Sequence, residues 1–218
     1  MKFLKNLFRR KPLIFINFKT YRQGKEVTSL AKTIEKIDKT IIIGVQPTDI
    51  KELTQKTNLH VFSEHTDPYT PGRHTGFIIP EAIKHDGAVG TFLNHSEHKI
   101  GFDTLKRTIE RCKKLHLQTA VFVKTIREAK KVEKLKPTYL IFEPPELIAT
   151  KKSVSTAKPK IIKKFAAKIK GRFLVGAGIH ASGDITKAME LGASGVTLSS
   201  AIVTAKNPAK KLRDLLRE

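Results

Sequence analysis

Apolar positions fall into two alternating patterns along the chain. Short runs rich in β-branched residues are each followed by a stretch where apolar residues recur every three to four positions, and the pair repeats eight times. The spacing predicts strands at Leu13–Phe18, Ile41–Val45, His60–Glu64, Ala88–Leu93, Thr119–Val123, Tyr139–Phe142, Phe173–Val175 and Gly195–Leu198. Helices are predicted over about Lys25–Ile37, from near Asp49, over Glu81–His85, from Asp103, over Ile126–Leu135, from about Lys160, over Gly183–Leu191 and over Pro208–Leu216. In the first helix Val27, Leu30, Ile34 and Ile37 share one face, and in the fourth Leu105, Ile109 and Cys112 do. Asp49 and Glu52 have the spacing of an N-cap and its N3 partner. Two Pro-containing stretches without a period, Asp67–Gly76 and Glu143–Pro159, read as loops.

Strands that alternate with helices imply a parallel sheet, because each return crossing needs a helix. Eight units within residues 12–218 fit a single-domain α/β (β/α)8 barrel near its minimum size. An open doubly wound sheet is the alternative. The barrel is preferred because Asn17-Phe18-Lys19 stands where a dinucleotide-binding fingerprint would follow the first strand.

Composition narrows the class. The chain has 218 residues, 39% of them hydrophobic, enough for one sizeable core. No apolar run approaches the roughly 20 residues of a membrane span. A single cysteine, Cys112, excludes an intrachain disulfide; with no export signal at the start, a cytoplasmic location is expected. Cys112 lies mid-helix and reads as core. Lys and Arg number 42 against 20 Asp and Glu, a net charge of +22. The excess is densest in a basic N-terminal extension, residues 1–11, and again over residues 151–172. Non-specific nucleic-acid binding is therefore a competing reading. Against it, Trp is absent and the three Tyr are dispersed, so no aromatic platform interleaves with the basic residues.

In such a barrel chemistry gathers at the C-terminal ends of the strands. Strand one ends in Asn17, Phe18 and Lys19, strand four in Asn94-His95-Ser96-Glu97, and strand six in Glu143. Strand seven ends in Gly176-Ala177-Gly178 and strand eight in Ser199-Ser200, residue types suited to holding a phosphate through backbone N–H groups. A lone lysine after a strand is usually solvated and a lone histidine usually structural. Lys19, His95 and Glu143 at one mouth are much less ordinary together. No metal site is expected, because His95-x-x-His98 lacks further ligands at suitable spacing.

At INFKTY (Ile16–Tyr21), HTG (His74–Gly76), NHSE (Asn94–Glu97), EPPELI (Glu143–Ile148), GAGI (Gly176–Ile179) and Leu198-Ser199-Ser200, the sequence resembles the triosephosphate isomerase family in its shorter archaeal form. The resemblance spans about residues 12–218. NHSE followed by a Glu-Pro lid opening, with a lysine after strand one, is its specific part; GAGI alone is widespread among phosphate-binding barrels. The resemblance implies a TIM barrel that interconverts dihydroxyacetone phosphate and D-glyceraldehyde 3-phosphate through an enediolate, a step of glycolysis and gluconeogenesis, without cofactor or metal. It implies Glu143 as base, His95 as neutral hydrogen-bond donor and Lys19 as fixed positive charge. Asn17 and Phe18 would flank the substrate, and Glu97 would support the site from behind. The phosphate would rest on backbone N–H groups around Ile148, Ala149, Gly178, Ser199 and Ser200. A homodimer or homotetramer is implied too, with the third loop placing Thr75 near the neighbour's Asn17 and Lys19.

The sequence departs from the family pattern in four places. Ala149-Thr150-Lys151 stands where Gly-Thr-Gly is usual, Ser63-Glu64-His65 replaces a Gln-containing stretch, the segment after the lid is short, and residues 1–11 precede the family's usual start. Two alternatives compete: another phosphosugar barrel enzyme with different chemistry at strands four and six, and a nucleic-acid-binding barrel with a vestigial isomerase site. The intact Lys19, His95 and Glu143 set weighs against the second.

Overall fold

The computed structural model describes residues 11–144, 159–177 and 179–217. Eight parallel strands close into a barrel in sequence order: β1 (Leu13–Asn17), β2 (Ile42–Val45), β3 (His60–Ser63), β4 (Gly90–Leu93), β5 (Gln118–Val123), β6 (Tyr139–Phe142), β7 (Phe173–Gly176) and β8 (Gly195–Leu198). Leu13 pairs with Gly195 where β8 returns to β1. The helices are α1 (Lys25–Ile37), α2 (Ile50–Lys56), α3 (Pro80–His85), α4 (Phe102–Lys114), α5 (Ile126–Glu133), α6 (Pro159–Lys168), α7 (Ser182–Glu190), α8 (Ser200–Val203) and α9 (Pro208–Leu216).

Most element ends shift by only a residue or two from the periodicity, but the start of α2 differs in kind. Pro47 opens a 3-10 turn over Pro47–Asp49, so the chain winds before Asp49 reaches a capping position, and its side chain caps nothing. Glu52 instead accepts hydrogen bonds from Thr28 Oγ1 and Lys56 Nζ, both at 2.7 Å, which ties α2 to α1. The one-turn α8 is too short to leave a periodic trace in the sequence.

Two apolar layers hold the barrel. Outside the strands, Val27, Leu30 and Ile34 of α1 and Leu105, Ile109 and Cys112 of α4 are buried against it, while Ile37 packs at the margin. Inside, Phe15, Phe62, Phe92, Phe122 and Tyr139 fill the lumen with Ile42, Ala120, Ile141 and Leu174. Phe15 lies 5.4 Å from both the Phe62 and Tyr139 rings, edge to face. Glycines make room for this packing: a side chain at Gly44 would collide with the Phe92 ring, and one at Gly90 would come 2.5 Å from Phe62 Cζ. With the lumen filled by rings, the next inward layer toward the strand C-termini is polar. Among the described residues, no helix is long and apolar enough to cross a membrane.

Candidate active site

Strand alternation sends Phe15 and Asn17 inward and Ile14, Ile16 and Phe18 outward. Phe18 is 2% exposed among the residues between barrel and helices, and its N–H donates to Gly44 O at 2.8 Å. Neither its ring nor its amide faces the mouth. Asn17 is buried, and its Oδ1 accepts the Lys19 N–H at 3.0 Å. That bond spans a residue in the left-handed region, since Lys19 has φ 49°. The turn carries the Lys19 ammonium to Glu97 Oε1 at 2.6 Å.

The loop after β4 is anchored by Asn94, also left-handed at φ 61°. Its Nδ2 donates to Phe122 O at 2.9 Å and to Glu128 Oε1 at 3.1 Å. The ring of His95 stands edge-on to Phe122, 4.5 Å between centroids. His95 Nδ1 accepts the Glu97 N–H at 3.2 Å, which leaves the ring proton on Nε2. Burial pushes His95 down to about 4; nearby Glu97 opposes this while Lys19 and Lys99 add to it. At neutral pH the imidazole is uncharged and presents Nε2–H.

Facing it is Glu143, whose Oε2 lies 3.9 Å from His95 Nε2. The Glu143 N–H is bonded to Val123 O at 2.9 Å, just past the end of β6. Its carboxyl occupies space that Gly176 leaves empty: a Cβ there would lie 2.7 Å from Glu143 Cδ. Burial raises this carboxyl to about 7, against the pull of Lys19. Burial thus favours the neutral form of both groups, raising the acid and lowering the base.

Ser199 and Ser200 follow β8 and open α8, where the first N–H groups of the turn have no partner within the helix. Ser199 Oγ is buried without a hydrogen-bond partner among the described residues. Ile148, Ala149 and Gly178, with Lys151, lie outside the described residues. Among those described, no group of three or more His, Cys, Asp or Glu is arranged to hold a metal ion. Thr75 is exposed on a loop whose neck is closed by Asp67, which pairs with Ile78 through its N–H at 2.7 Å and its Oδ2 at 2.9 Å. Two charged groups given no role by the sequence also reach this field. Lys99 Nζ donates to Asn94 O at 3.2 Å, and Glu64 stands just past β3. The strand-end rule that singled out Glu143 points equally to Glu64.

A closed parallel barrel with an inward carboxylate, a neutral imidazole and a lysine at one mouth defines a class, the barrel enzymes that move protons on a small anionic substrate. A family model described as triosephosphate isomerase matches residues 12–216. Curated relatives named triosephosphate isomerase include that of Methanocaldococcus jannaschii, 39% identical over 216 residues, covering 94% of this chain and 99% of the relative. That of Saccharolobus solfataricus is 40% identical over 215 residues, covering 94% and 95%. That of Methanobacterium bryantii is 35% identical over 222 residues, covering 97% and 98%. The chain belongs to the triosephosphate isomerase family, in its archaeal form.

Proposed function

We propose that this protein interconverts dihydroxyacetone phosphate and D-glyceraldehyde 3-phosphate, in glycolysis and gluconeogenesis, with Glu143, His95 and Lys19 as its catalytic residues. The observation that carries the reading is the opposition of Glu143 and His95, 3.9 Å apart, each with its ionisation displaced by burial. The Glu143 carboxylate takes a proton from the carbon that bears the hydroxyl, beside the carbonyl, and the electron pair moves onto the carbonyl oxygen to give the enediolate. A proton then passes from the hydroxyl oxygen to the former carbonyl oxygen, and Glu143 returns its own proton to the neighbouring carbon as the hydroxyl oxygen becomes the new carbonyl. A carboxyl raised to about 7 is a stronger base than a solvated one and still ionises near neutral pH. His95 Nε2–H donates to the enediolate oxygens; being neutral, it does so without first releasing an ion pair. Lys19 sets a positive charge beside the developing negative charge, held by Glu97 at its tip and Asn17 at its backbone.

Ser199 and Ser200, with Ile148, Ala149 and Gly178, would hold the phosphate; the first N–H groups of α8, which have no intrahelical partner, and the Ser199 hydroxyl, without a partner among the described residues, support this for the first two. Residues 12–218 would form the catalytic barrel and 1–11 a basic extension, in keeping with a family match that begins at residue 12. A homodimer or larger homo-oligomer in the cytoplasm, with Thr75 inserted toward a neighbour's Asn17 and Lys19, follows from the same reading. The test is an isomerase assay on purified protein with a coupled dehydrogenase reporting product. Glu143→Gln should lower turnover about a thousandfold or more while substrate still binds. Retention of more than about a tenth of wild-type activity would remove Glu143 as the base.

A further inference from the structure

Glu64 stands one residue past β3, at the end of the barrel that carries Lys19, His95 and Glu143. Its N–H donates to Val45 O at 2.9 Å, which fixes its backbone to the end of β2. Its carboxyl lies near the Lys19 backbone, and its Oε1 is buried with no partner among the described residues. The Lys19 N–H donates to Asn17 Oδ1 at 3.0 Å, so Asn17 holds, and Glu64 backs, the turn of a lysine in the left-handed conformation. The charged groups around Glu64 are Lys19 after β1, Asp49 in the turn before α2 and Glu97 after β4. On its own segment His65 faces Asp67, at 3.2 Å, and His98, stacked at 4.3 Å, rather than Glu64. Among the described residues the cation beside it, Lys19, has its ammonium on Glu97.

An ionised carboxylate in this position would be buried, short of a partner and beside two other acids, whereas a carboxylic acid meets none of these costs. Burial, then Asp49 and Glu97, raise Glu64 to about 7 against the Lys19 N–H and its charge. We propose that Glu64 is a positioning residue for the isomerase reaction: as a neutral acid it backs the Lys19 turn, and its ionisation weakens the attraction of the site for a phosphorylated substrate, setting the alkaline limit of the enzyme. This rests on the activity proposed above, because only an anionic substrate feels the change. A new negative charge beside Lys19 acts mainly on binding, so it appears in KM more than in kcat.

The experiment compares wild type, Glu64→Gln and Glu64→Ala from pH 6 to 9 at constant ionic strength, measuring kcat and KM, with infrared spectra of the carboxyl region over the same range. In the wild type KM should rise several-fold between pH 7 and 9. Glu64→Gln keeps the shape behind the Lys19 turn and cannot ionise, so the rise should disappear, while Glu64→Ala leaves a gap there and should lower kcat/KM at every pH. An unchanged alkaline rise in Glu64→Gln overturns the proposal, as does a Gln variant no better than the Ala one. The infrared spectra separate failure here from failure of the activity: Glu143 contributes a protonated-carboxyl band at pH 6 in both proteins, so the signal of Glu64 is the wild-type minus Glu64→Gln difference, and a difference band present at pH 6 and lost by pH 9 supports the neutral acid even if no isomerase activity is found. Absence of that difference band at pH 6 overturns it.

Discussion

Replacing Glu143 by Gln should make the protein more stable, and only above a certain pH. The carboxyl ionises at about 7 in the folded state against an ordinary 4.5. At about 1.36 kcal/mol per pH unit, the ionised group destabilises the fold by about 3 kcal/mol relative to a solvated carboxylate. The sign follows from proton binding. Between pH 4.5 and 7 the folded state holds a proton that the unfolded state has lost, so stability falls as pH rises through that window and levels off above it. Below pH 4.5 both states are protonated and the term vanishes. Glutamine keeps the shape and carries no charge, but its amide must also be buried, so about 2 kcal/mol of the term should be recovered above pH 7. For a chain of this size that corresponds to roughly 4–8 °C in melting temperature. Thermal unfolding of both proteins at pH 5, 6, 7 and 8 should show a difference that opens with pH. A difference that is the same at pH 5 and pH 8 would show that burial does not hold this carboxyl away from its ionised form, and the account of the base would fail.

Other perturbations probe the neighbours. His95→Gln should lower kcat about tenfold to a hundredfold, less than loss of the base, because an amide N–H can still reach the enediolate oxygens; steady-state kinetics checks it. Gly176→Ala places a methyl group in the space of the Glu143 carboxyl, so kcat should fall at least about tenfold with a much smaller change in melting temperature. Since the chain carries +22, kcat/KM should fall as ionic strength rises from about 0.01 to 0.15 M and the Debye length shrinks from roughly 30 to 8 Å; a flat response would exclude steering.

The barrel is legible because short β-branched runs and stretches of period 3.6 alternate eight times, with two Pro-containing loops between them, and the mouth because polar residues gather at strand ends. Lys19, His95 and Glu143 each stand within two residues of the end of a mostly apolar strand. The same alternation places Phe18 outside the mouth, since Asn17 points in and the next side chain must point out. Asp49 shows the opposite case: its spacing to Glu52 is that of a cap, but the proline two residues before it starts the turn early. Ionisation is legible only through the family resemblance, not in the residues themselves. That His95 is neutral follows from its Phe122 contact and from the Glu97 N–H on Nδ1, and the burial of Glu143 in the gap at Gly176 depends on a residue 33 positions later in the chain.

A chain with a large positive charge nonetheless gathers Glu64, Glu97 and Glu143 around one lysine at the place where a phosphorylated substrate would react. Three ionised carboxylates there would oppose the approach that the rest of the surface favours. The structure divides them instead. Glu97 is exposed and spends its charge on Lys19, whereas the carboxyls of Glu64 and Glu143 are largely withdrawn from water, which raises both to about 7. On the proposed mechanism their ionisations have opposite consequences, because Glu143 must lose its proton to act as base while Glu64 must keep its own to leave the charge of Lys19 available. Two groups with nearly the same displacement should therefore confine full activity to a narrow span of pH, with the acid limb in kcat and the alkaline limb in KM. Removing the ionisation of Glu64 alone, by Glu64→Gln, should widen that span on the alkaline side only and leave the acid limb in kcat where it is.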